Sequence, residues 1–383
     1  MGKGMKLLFL VYHALSEHSG ISKKILAQVR GLEANGNDVT LCTLQIDPDG
    51  TQKRVCNGVV IRSFGTGVQA KVEKRISYRD IVDYVRENGI EGVYIRYDIN
   101  SDPFTIGLVK RLKSLGAAVI VEIPTWPYDG EFKGQSLKFQ VQIATDKTFR
   151  KGFFKHVDRV VTCAPVSTIF GVPTIINSNG IDFSRIPLIK ETLDKNGLRM
   201  LSVANIHLWH GLDRLIEGMA ANPQIPSELH IVGDGLPDII DGYRRLIEKY
   251  SLGDRIKILG PMFGEALDKE FNWANIAVGS LGRHRSGVNT IKTLKNREYA
   301  ARGLSFFYSE DDPDFDDAGY VYKMKADESP ADLSGLWEFF RSMDMEPAQI
   351  RESVRGLSWE AQLSGVAKCF LSIKAQKGFN LNE

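Results

Sequence analysis

The strongest constraint on the fold of this chain is an alternation of short β-rich runs with longer helical patterns, which starts again halfway along the sequence. Short apolar strands followed by amphipathic helices are typical of parallel sheets that are covered by helices. At 383 residues, the chain is long enough for about two domains of roughly 100–200 residues each. The sequence therefore predicts the α/β fold class, with two Rossmann-like domains whose parallel sheets face each other across a cleft.

The alternation also predicts the individual elements. In the first half, strands are expected over residues 6–12, 38–44, 59–64, 92–97, 117–123 and 159–163, and helices over 21–34, 72–87 and 104–114. In the second half, strands are expected over 198–203, 228–232, 255–259, 276–278 and 304–308, with helices from about residue 213 and over 237–250. The chain reads helical from residue 330 onward, with a long helix from 359 to about 375.

These elements divide the chain into an N-terminal domain over 1–183, a linker over 184–197 and a second domain over 198–357. Residues 358–383 are expected to form a helix that packs back on the first domain. Ligands of open α/β sheets bind beyond the carboxyl ends of the strands, where loops and helix N-termini meet. The loops that follow the strands are therefore the places to look for functional residues.

Composition narrows the class of protein. The four cysteines lie far apart without a CxxC pair, which favours reduced cysteines in a cytoplasmic protein over a zinc or redox site. No signal-peptide core or membrane-spanning run is evident. Residues 1–190 carry 26 Lys and Arg against 18 Asp and Glu, a net charge of +8, whereas the remainder carries 23 against 29, a net charge of −6. This charge asymmetry suggests different partners for the two domains. The positive charge of the first half is too small for a nucleic-acid-binding domain.

Glycine and polar residues follow several of the predicted strands. Gly20 opens the first helix, where a glycine lets another molecule approach the backbone N–H groups. No GxGxxG follows that strand, which counts against a dinucleotide-dependent dehydrogenase. In the second half, the corresponding segments are residues 202–214, 232–235, 258–261 and 294–304.

These segments resemble the motifs of glycosyltransferase family 4, whose members are retaining enzymes of the GT-B fold that use nucleotide-diphospho-sugars. The resemblance rests on residues 35–39, 179–182, 203–211, 232–235 and 295–305, which occur in the family's order and spacing over almost the whole chain. It implies a retaining hexosyltransferase-type enzyme of bacterial polysaccharide synthesis, with variant active-site motifs. The first domain would bind a saccharide or lipid-linked acceptor, and the second would bind the nucleotide sugar.

The resemblance implies a donor site for a UDP-sugar or a GDP-sugar, without a metal or another cofactor. Glu298 would accept hydrogen bonds from both ribose hydroxyls, and Lys295 would lie near the diphosphate. An exposed helix glutamate and a solvated lysine are the purely structural alternatives. Gly260 and Met262 would pass the base. The remaining nucleotide contacts are expected from Gly233, Lys292, Thr293 and Leu294.

The chain departs from the family pattern where catalysis is expected. Asn205 and His210 replace the family's Arg and Lys, so the catalytic set becomes His210, Asn205, Lys295 and Asp129. His210 would serve as a cation if a nearby phosphate raised its pKa, whereas Asn205 only donates a hydrogen bond. The loop residues Arg283, His284 and Arg285, together with Lys292, are a reserve of cations. Thr290 replaces the first of the family's paired glutamates, which leaves the donor sugar open.

A Pro-aromatic loop in the first domain stands where the family carries a His-Asp pair. Thr125, Trp126, Tyr128 and Glu131 are expected to contact the acceptor, with Trp126 and Tyr128 stacking on sugar rings. Asp129 would orient the acceptor hydroxyl. The structural alternative is an ordinary turn that is stiffened by prolines.

Cations alternate with phenylalanines over residues 147–159. This pattern and the basic first half predict contact with the inner membrane face through 147–159. The alternative is a helix whose phenylalanines belong to the core and whose charges are solvated. Two functional alternatives also stay open: a non-catalytic sugar-nucleotide-binding partner subunit and a sugar-nucleotide epimerase of the same fold.

Overall fold

The computed structural model describes residues 4–16, 19–129, 136–190 and 194–379. The chain divides into two compact units, one formed by residues 1–180 with 359–383 and the other by residues 181–358. Each unit contains its own sheet and its own buried apolar clusters. The boundary lies at residue 180, ahead of the linker expected over 184–197.

The first unit is built on a nine-stranded sheet with the order β4-β3-β2-β1-β5-β6-β7-β9-β8. Its strands are β1 (Lys6–Ala14), β2 (Asp38–Ile46), β3 (Gln52–Cys56), β4 (Val59–Gly65), β5 (Gly92–Arg96), β6 (Ala118–Glu122), β7 (Arg159–Thr162), β8 (Thr168–Ile169) and β9 (Val172–Ile176). The central strands pair in parallel in the order β2-β1-β5-β6-β7-β9. At the edges, β3 pairs antiparallel with β2 and β4, and β8 pairs antiparallel with β9. This sheet is therefore mixed rather than wholly parallel.

The antiparallel edge arises from a two-residue hairpin. Asn57 and Gly58 join β3 to β4, with φ angles of 46° and 81°. Asn-Gly is the preferred pair for a type I′ turn, because both positions need a positive φ. A strand was predicted at β4 but not at β3, although this Asn-Gly pair is the signal that reveals it.

Helices cover both faces of this sheet. They are α1 (Gly20–Ala34), α2 (Gly67–Ile76), α3 (Arg79–Glu87), α4 (Pro103–Ser114) and α5 (Leu137–Phe154). Alternate residues of β1 enter different cores: Leu8 and Leu10 pack in the cluster that contains α3, α4 and α5, whereas Leu7 and Phe9 pack in the cluster that contains α1.

The single helix predicted over 72–87 is wrong, because two helices occupy this part of the chain. Arg54 donates hydrogen bonds to the carbonyls of Lys74 and Ser77, both at 3.0 Å, and thereby satisfies the end of α2. The same guanidinium pairs with Asp80 in the first turn of α3, at 2.7 Å. A side chain from β3 thus fixes the break, which explains why periodicity alone did not reveal it.

The second unit contains a six-stranded parallel sheet with the order β12-β11-β10-β13-β14-β15. Its strands are β10 (Leu198–Val203), β11 (Ser227–Val232), β12 (Ile256–Gly260), β13 (Ile276–Val278), β14 (Ser305–Tyr308) and β15 (Val321–Lys323). Its helices are α6 (Leu212–Ala221), α7 (Pro237–Lys249), α8 (Glu265–Trp273), α9 (Leu294–Arg302), α10 (Leu333–Ser342) and α11 (Pro347–Ser353).

The last helix, α12 (Trp359–Phe379), belongs to the first unit. Leu363, Val366 and Phe370 from α12 pack in the same buried cluster as Leu7 and Phe9 of β1. The approach to α1 is close, because a β-carbon at Gly31 would lie 2.8 Å from the Trp359 carbonyl oxygen. The chain therefore closes its first sheet with a helix that follows the second unit in sequence.

Candidate functional site

In the second unit, the strands β10, β13 and β14 are neighbours, so the loops at their carboxyl ends meet at one edge of the sheet. The Leu281 N–H donates to the carbonyl of His210 at 2.9 Å, which joins the loops after β13 and β10. The Ser309 N–H donates to the carbonyl of Ser280 at 2.9 Å, which joins the loops after β14 and β13. These bonds hold the three loops together as a single frame.

Gly211 makes this frame possible. Its φ is 61°, a conformation that costs other residues free energy. A β-carbon at this position would also lie 2.6 Å from the backbone nitrogen of Gly282. The close approach of the loops after β10 and β13 therefore depends on a glycine here.

Lys295 lies in the first turn of α9, and its ammonium nitrogen is buried without a hydrogen-bond partner among the described residues. Burial lowers the pKa of Lys295 to about 7, with attraction from Glu310 opposing the shift and repulsion from Arg283 adding to it. The group therefore changes charge near neutral pH. An approaching anion would favour its charged form.

Glu310 is the counter-charge of Lys295, and sequence reasoning missed it. The side chain is buried behind the end of β14, and Asn296 donates a hydrogen bond to Oε1 at 3.4 Å. Its Oε2 atom has no partner within the described part of the chain. Burial raises the pKa of Glu310, with Lys295 as the main opposing influence. The available signal was an acidic residue two positions after the fully buried strand β14, at the carboxyl edge of the sheet.

His210 lies beside this pair, and its surroundings favour the neutral ring. Its ring is buried, and Nδ1 accepts a hydrogen bond from the His207 N–H at 2.9 Å, which leaves the ring proton on Nε2. Burial, followed by repulsion from Lys295 and Arg283, lowers the pKa of His210 to about 2. These surroundings therefore favour a neutral ring that offers an N–H donor, and a His210 cation beside a phosphate stays a prediction.

Three of the four expected reserve cations are bound to carboxylates. Arg285 donates to Asp213 and Glu328, His284 pairs with Glu328 at 2.6 Å, and Lys292 pairs with Asp314 at 3.0 Å. Arg283 lies over the Trp209 ring, with its guanidinium carbon 5.2 Å from the ring centroid. Its charge acts on Lys295, His210 and Glu310. Arg283 is therefore the loop cation that belongs to the site.

Glu298 lies one turn after Lys295 on α9. Its Oε1 accepts a hydrogen bond from Arg302 at 3.0 Å, and its side chain remains 35% exposed. Arg302 is also bound to Asp268 at 2.7 Å and stacks on the Phe271 ring at 3.8 Å. Glu298 is thus partly accessible and oriented by an arginine that has a second acidic partner.

The start of α9 carries two more of the predicted nucleotide contacts. The Thr293 side chain caps the helix by accepting from the Asn296 N–H at 3.4 Å, and the adjacent Leu294 is exposed. No acidic residue lies in the first turn, so no carboxylate of that turn offsets the positive end of the helix dipole. An anion at this end would meet both the helix N-terminus and Lys295.

The remaining predicted donor contacts follow β10, β11 and β12. The Gly233 N–H donates to the Gly260 carbonyl at 2.8 Å, and both glycines have positive φ angles. A side chain at Gly233 would collide with the carbonyl of Ala204. Met262 packs partly buried on a core cluster, whereas Asn205 is exposed. Asn205 and Gly233 thus lie at the same edge as His210.

The first unit has its own buried charges at the carboxyl end of β6. Glu122 is buried and pairs with Lys24 at 2.9 Å and with Arg96 at 3.4 Å, and Gln28 donates to it at 3.1 Å. Burial raises the pKa of Glu122, but Lys24 and Arg96 outweigh it, so the pKa lies below its usual value. This network joins α1, β5 and β6.

Sequence reasoning also missed a histidine and an aspartate at the same edge. Leu10 and Ile95 are in register across β1 and β5, and His13 and Asp98 each follow three residues later. Burial lowers the pKa of His13 and raises the pKa of Asp98, while the attraction between the two groups opposes both shifts. Only the pairing of β1 with β5 brings these groups together, so no local motif reveals them.

The Pro-aromatic loop differs from the expected acceptor platform. Tyr128 is buried, and its hydroxyl donates to Asp146 at 2.7 Å, so it is a core residue rather than an exposed stacking face. Trp126 and Thr125 are partly buried, and the Trp126 ring packs edge-on against Tyr128. Asp129 is bound by Arg150 at 2.8 Å, which holds its pKa below the usual range. Glu131 lies outside the described residues.

Gly20 and residues 147–159 are the two remaining predicted sites in the first unit. Gly20 is exposed at the start of α1, and open space surrounds the position that a β-carbon would take. Within 147–159, Phe153 and Phe154 are fully buried, so these rings are part of the core and do not face a membrane. Both phenylalanines therefore match the alternative in which these rings belong to the core.

Within the part of the chain that the structure describes, no helix combines the length and apolar character needed to cross a bilayer. Nor do the described side chains bring together a group of three or more His, Cys, Asp or Glu that would hold a metal ion.

Comparison with known proteins gives relatives in structure only. No protein-family model matches the sequence, and no curated protein matches it. A glycosyltransferase from Rickettsia africae matches with a TM-score of 0.64 at 11% identity, over 97% of this chain and 99% of that chain. The catalytic domain of starch synthase IV from Arabidopsis thaliana, bound to ADP and acarbose, matches with a TM-score of 0.62 at 12% identity, over 97% and 99%.

A third likeness is to the Anabaena protein HepE in complex with UDP, with a TM-score of 0.51 at 13% identity, over 99% of this chain and 100% of that chain. At these identities the comparisons show the fold, and they cover nearly the full length of each chain. The α/β fold of this protein is therefore the GT-B fold, which it shares with glycosyltransferase structures of several kinds.

Proposed function

We propose that this protein is a glycosyltransferase that transfers a hexosyl group from a UDP-sugar or GDP-sugar to a saccharide or lipid-linked saccharide acceptor. The second unit would bind the donor and the first unit the acceptor. The observation that carries the proposal is the buried ammonium of Lys295 at the N-terminus of α9, which has no hydrogen-bond partner among the described residues. The charge of Arg283 also acts on this group. Similar folds that hold ADP or UDP support a nucleotide ligand.

The proposed chemistry follows from charge. When the bond between the sugar and the diphosphate breaks, negative charge builds on the leaving oxygen, and fixed cations and N–H donors stabilise it. Lys295, Arg283 and the first turn of α9 supply positive charge on one side of the site. His210 adds a neutral N–H donor. Because these groups supply the positive charge themselves, we propose that the transfer needs no metal.

Glu298 completes the proposed donor site. A carboxylate that accepts hydrogen bonds from two ribose hydroxyls would fix the nucleoside while Lys295 holds the diphosphate. The two residues are one helical turn apart on α9, so one helix would position both parts of the donor. We also propose that the anomeric configuration of the sugar is retained. The support for this is the motif resemblance.

A donor screen tests this proposal. Purified protein is mixed with UDP-sugars, GDP-sugars and the free nucleotides; the melting temperature, the released nucleotide and the anomeric proton signals of the product are then measured, with and without EDTA. We expect one donor class to raise the melting temperature and to release nucleotide slowly by hydrolysis, with retention and without an effect of EDTA. Failure of every nucleotide to stabilise the protein would contradict the proposal.

A second function has its own support, since His210 is neutral and Asn205 is uncharged where the family carries cations. A non-catalytic sugar-nucleotide-binding subunit would bind donor without releasing nucleotide. That outcome of the screen, with and without candidate acceptors, would assign the protein to the binding class.

A further inference from the structure

Helix α2 directs its larger apolar side chains away from the core. Val68, Val72 and Ile76 are 75%, 52% and 43% exposed, and Ala70 is the one buried residue of this helix. Their spacing of four residues places the three side chains on one face. An amphipathic surface helix normally buries such a stripe, so this one has the reverse orientation.

The start of α5 repeats the pattern. Leu137 and Val141 are 76% and 58% exposed, and they lie four residues apart on one face of the helix. Ile143, in the following turn, is buried in the core. The first two turns of α5 therefore also present branched aliphatic side chains to the surroundings.

Lysines accompany these aliphatic residues and connect the two helices. Lys71 and Lys74 lie on α2, and Lys138 lies in the first turn of α5. Arg75 of α2 and Gln142 of α5 bind the same loop after β5, which brings the two helices close together. Among the described residues, no ion pair involves Lys71, Lys74 or Lys138. We call these residues the aliphatic–lysine surface: Val68, Lys71, Val72, Lys74, Ile76, Leu137, Lys138 and Val141.

The acidic side chains near this surface are engaged with other cations. Glu73 is bound by Arg62, and Asp102 is bound by Arg75 at 2.8 Å. Asp80 is bound by Arg54 at 2.7 Å. The three lysines therefore form a local excess of positive charge within a patch of exposed aliphatic groups.

We propose that the aliphatic–lysine surface docks this protein on an anionic lipid bilayer. Branched aliphatic side chains on a convex helical surface insert at the boundary between headgroups and acyl chains, while lysines extend to the anionic headgroups. Protein interfaces favour Tyr, Trp, Met and Arg and are depleted in Lys. A patch made of Val, Ile, Leu and Lys has the composition of a bilayer contact instead.

The surface lies beside the carboxyl edge of the first sheet. Gln142 of α5 donates to the carbonyls of Asp98 and Ile99, both at 3.0 Å, and Arg75 of α2 donates to the carbonyl of Asn100 at 3.2 Å. Both helices are thus tied to the loop that follows β5. Docking would bring that loop to the bilayer, where a lipid-linked acceptor resides; only this last step depends on the proposed function.

Vesicle co-sedimentation tests the docking. The full chain is mixed with vesicles of phosphatidylcholine alone or with about 30% phosphatidylserine, an anionic content chosen to give a surface potential near that of a cytoplasmic leaflet. We expect binding to the anionic vesicles and little to the neutral ones. The triple variant Lys71→Gln, Lys74→Gln and Lys138→Gln should weaken binding about 100-fold, at roughly fivefold per lysine. The triple variant Val68→Ser, Val72→Ser and Leu137→Ser should also weaken it, because the inserted apolar area is lost.

The matched control removes three exposed lysines elsewhere, Lys110→Gln, Lys257→Gln and Lys325→Gln, and should keep most of the binding. Equal loss in the control and the surface variant, or no binding of the unmodified protein to anionic vesicles, would overturn the proposal. Binding only to membranes that retain their proteins would also overturn it, because the partner would then be a protein. Thermal stabilisation by UDP or GDP, measured on the same variants, reports the donor site separately, so failure of either idea is recognisable.

Discussion

The ammonium nitrogen of Lys295 and the Oε2 atom of Glu310 are both buried in the second unit, and neither has a hydrogen-bond partner among the described residues. The opposite charges of the two side chains attract each other. Burial lowers the pKa of Lys295 and raises the pKa of Glu310, so it favours the neutral form of each group. A buried polar group without a partner costs about 1–3 kcal/mol. Two such groups at the edge of a sheet can form hydrogen bonds with a ligand. A bound diphosphate would accept a hydrogen bond from Lys295.

Glu298→Gln should weaken binding of the nucleotide. The variant keeps the size of the side chain but loses the charge that would accept the ribose hydroxyl hydrogen bonds, which are worth about 1.5–3 kcal/mol each when one partner is charged. We expect the dissociation constant of UDP or GDP, measured by calorimetry, to rise at least about tenfold. Arg302 keeps Asp268 as a partner, so the melting temperature should change little.

Glu338→Gln is the control for this variant, since Glu338 is an exposed helix glutamate on α10. It should leave the dissociation constant unchanged. Equal affinities of the Glu298 variant and the unmodified protein would remove Glu298 from the donor site.

Gly211→Ala should destabilise the second unit. The residue has a φ of 61°, and its new β-carbon would lie 2.6 Å from the Gly282 nitrogen. The left-handed conformation costs a non-glycine residue about 1–2 kcal/mol, and the overlap adds a cost of about 1–3 kcal/mol. Urea unfolding should therefore show a loss of about 2–5 kcal/mol.

The control here is Gly253→Ala, because that glycine has open space around the position of a β-carbon and no positive φ. Its unfolding free energy should stay within about 0.5 kcal/mol of the unmodified value. Comparable losses in both variants would show that the approach of the two loops does not require Gly211.

Much of the parallel core was predictable because each buried strand carries its own apolar run. The strands at 198–203 and 276–278 coincide with β10 and β13, and the prediction of an α/β fold is confirmed. The wrong predictions concern structure that is determined by contacts between residues far apart in the sequence. Arg54 of β3 ends α2, and no periodicity within 72–87 records that contact.

In the candidate site, too, residues within one motif were predictable, whereas residues brought together only by folding were not. Lys295 and Glu298 were predictable from a motif on one helix, although their role remains a prediction. Glu310 and the His13–Asp98 pair come from strands that are neighbours only in the folded sheet. The low pKa of His210 was also not readable from the sequence, because its main cause is burial in the folded chain.

Glu122→Gln should lower stability, and the loss should depend on pH. Lys24 and Arg96 keep the folded-state pKa of Glu122 below its ordinary value of 4.5, so the charged form stabilises the protein above that pH. This contribution is lost as the pH falls through the folded-state pKa. Removing one partner of a buried ion pair costs about 3 kcal/mol.

Urea unfolding from pH 7 down to pH 3 measures this dependence. The difference in unfolding free energy between the unmodified protein and the variant should be largest at neutral pH and shrink below about pH 4. A difference that stays constant over this range would show that the charge of Glu122 is not what stabilises the fold.

The proposed donor site requires contact between the diphosphate and the ammonium of Lys295. Because the pKa of this group is lowered to about 7, it is mostly neutral at pH 8, and a bound diphosphate would restore its charge by raising that pKa.

Calorimetric titration of UDP and GDP at pH 8, in two buffers with different heats of ionisation, measures this proton directly. We predict uptake of up to about one proton per bound nucleotide, its loss in Lys295→Met, and its retention in the exposed-lysine control Lys257→Met. Binding without proton uptake in the unmodified protein, or equal uptake in the Lys295→Met variant, would contradict the assignment of Lys295 to the diphosphate.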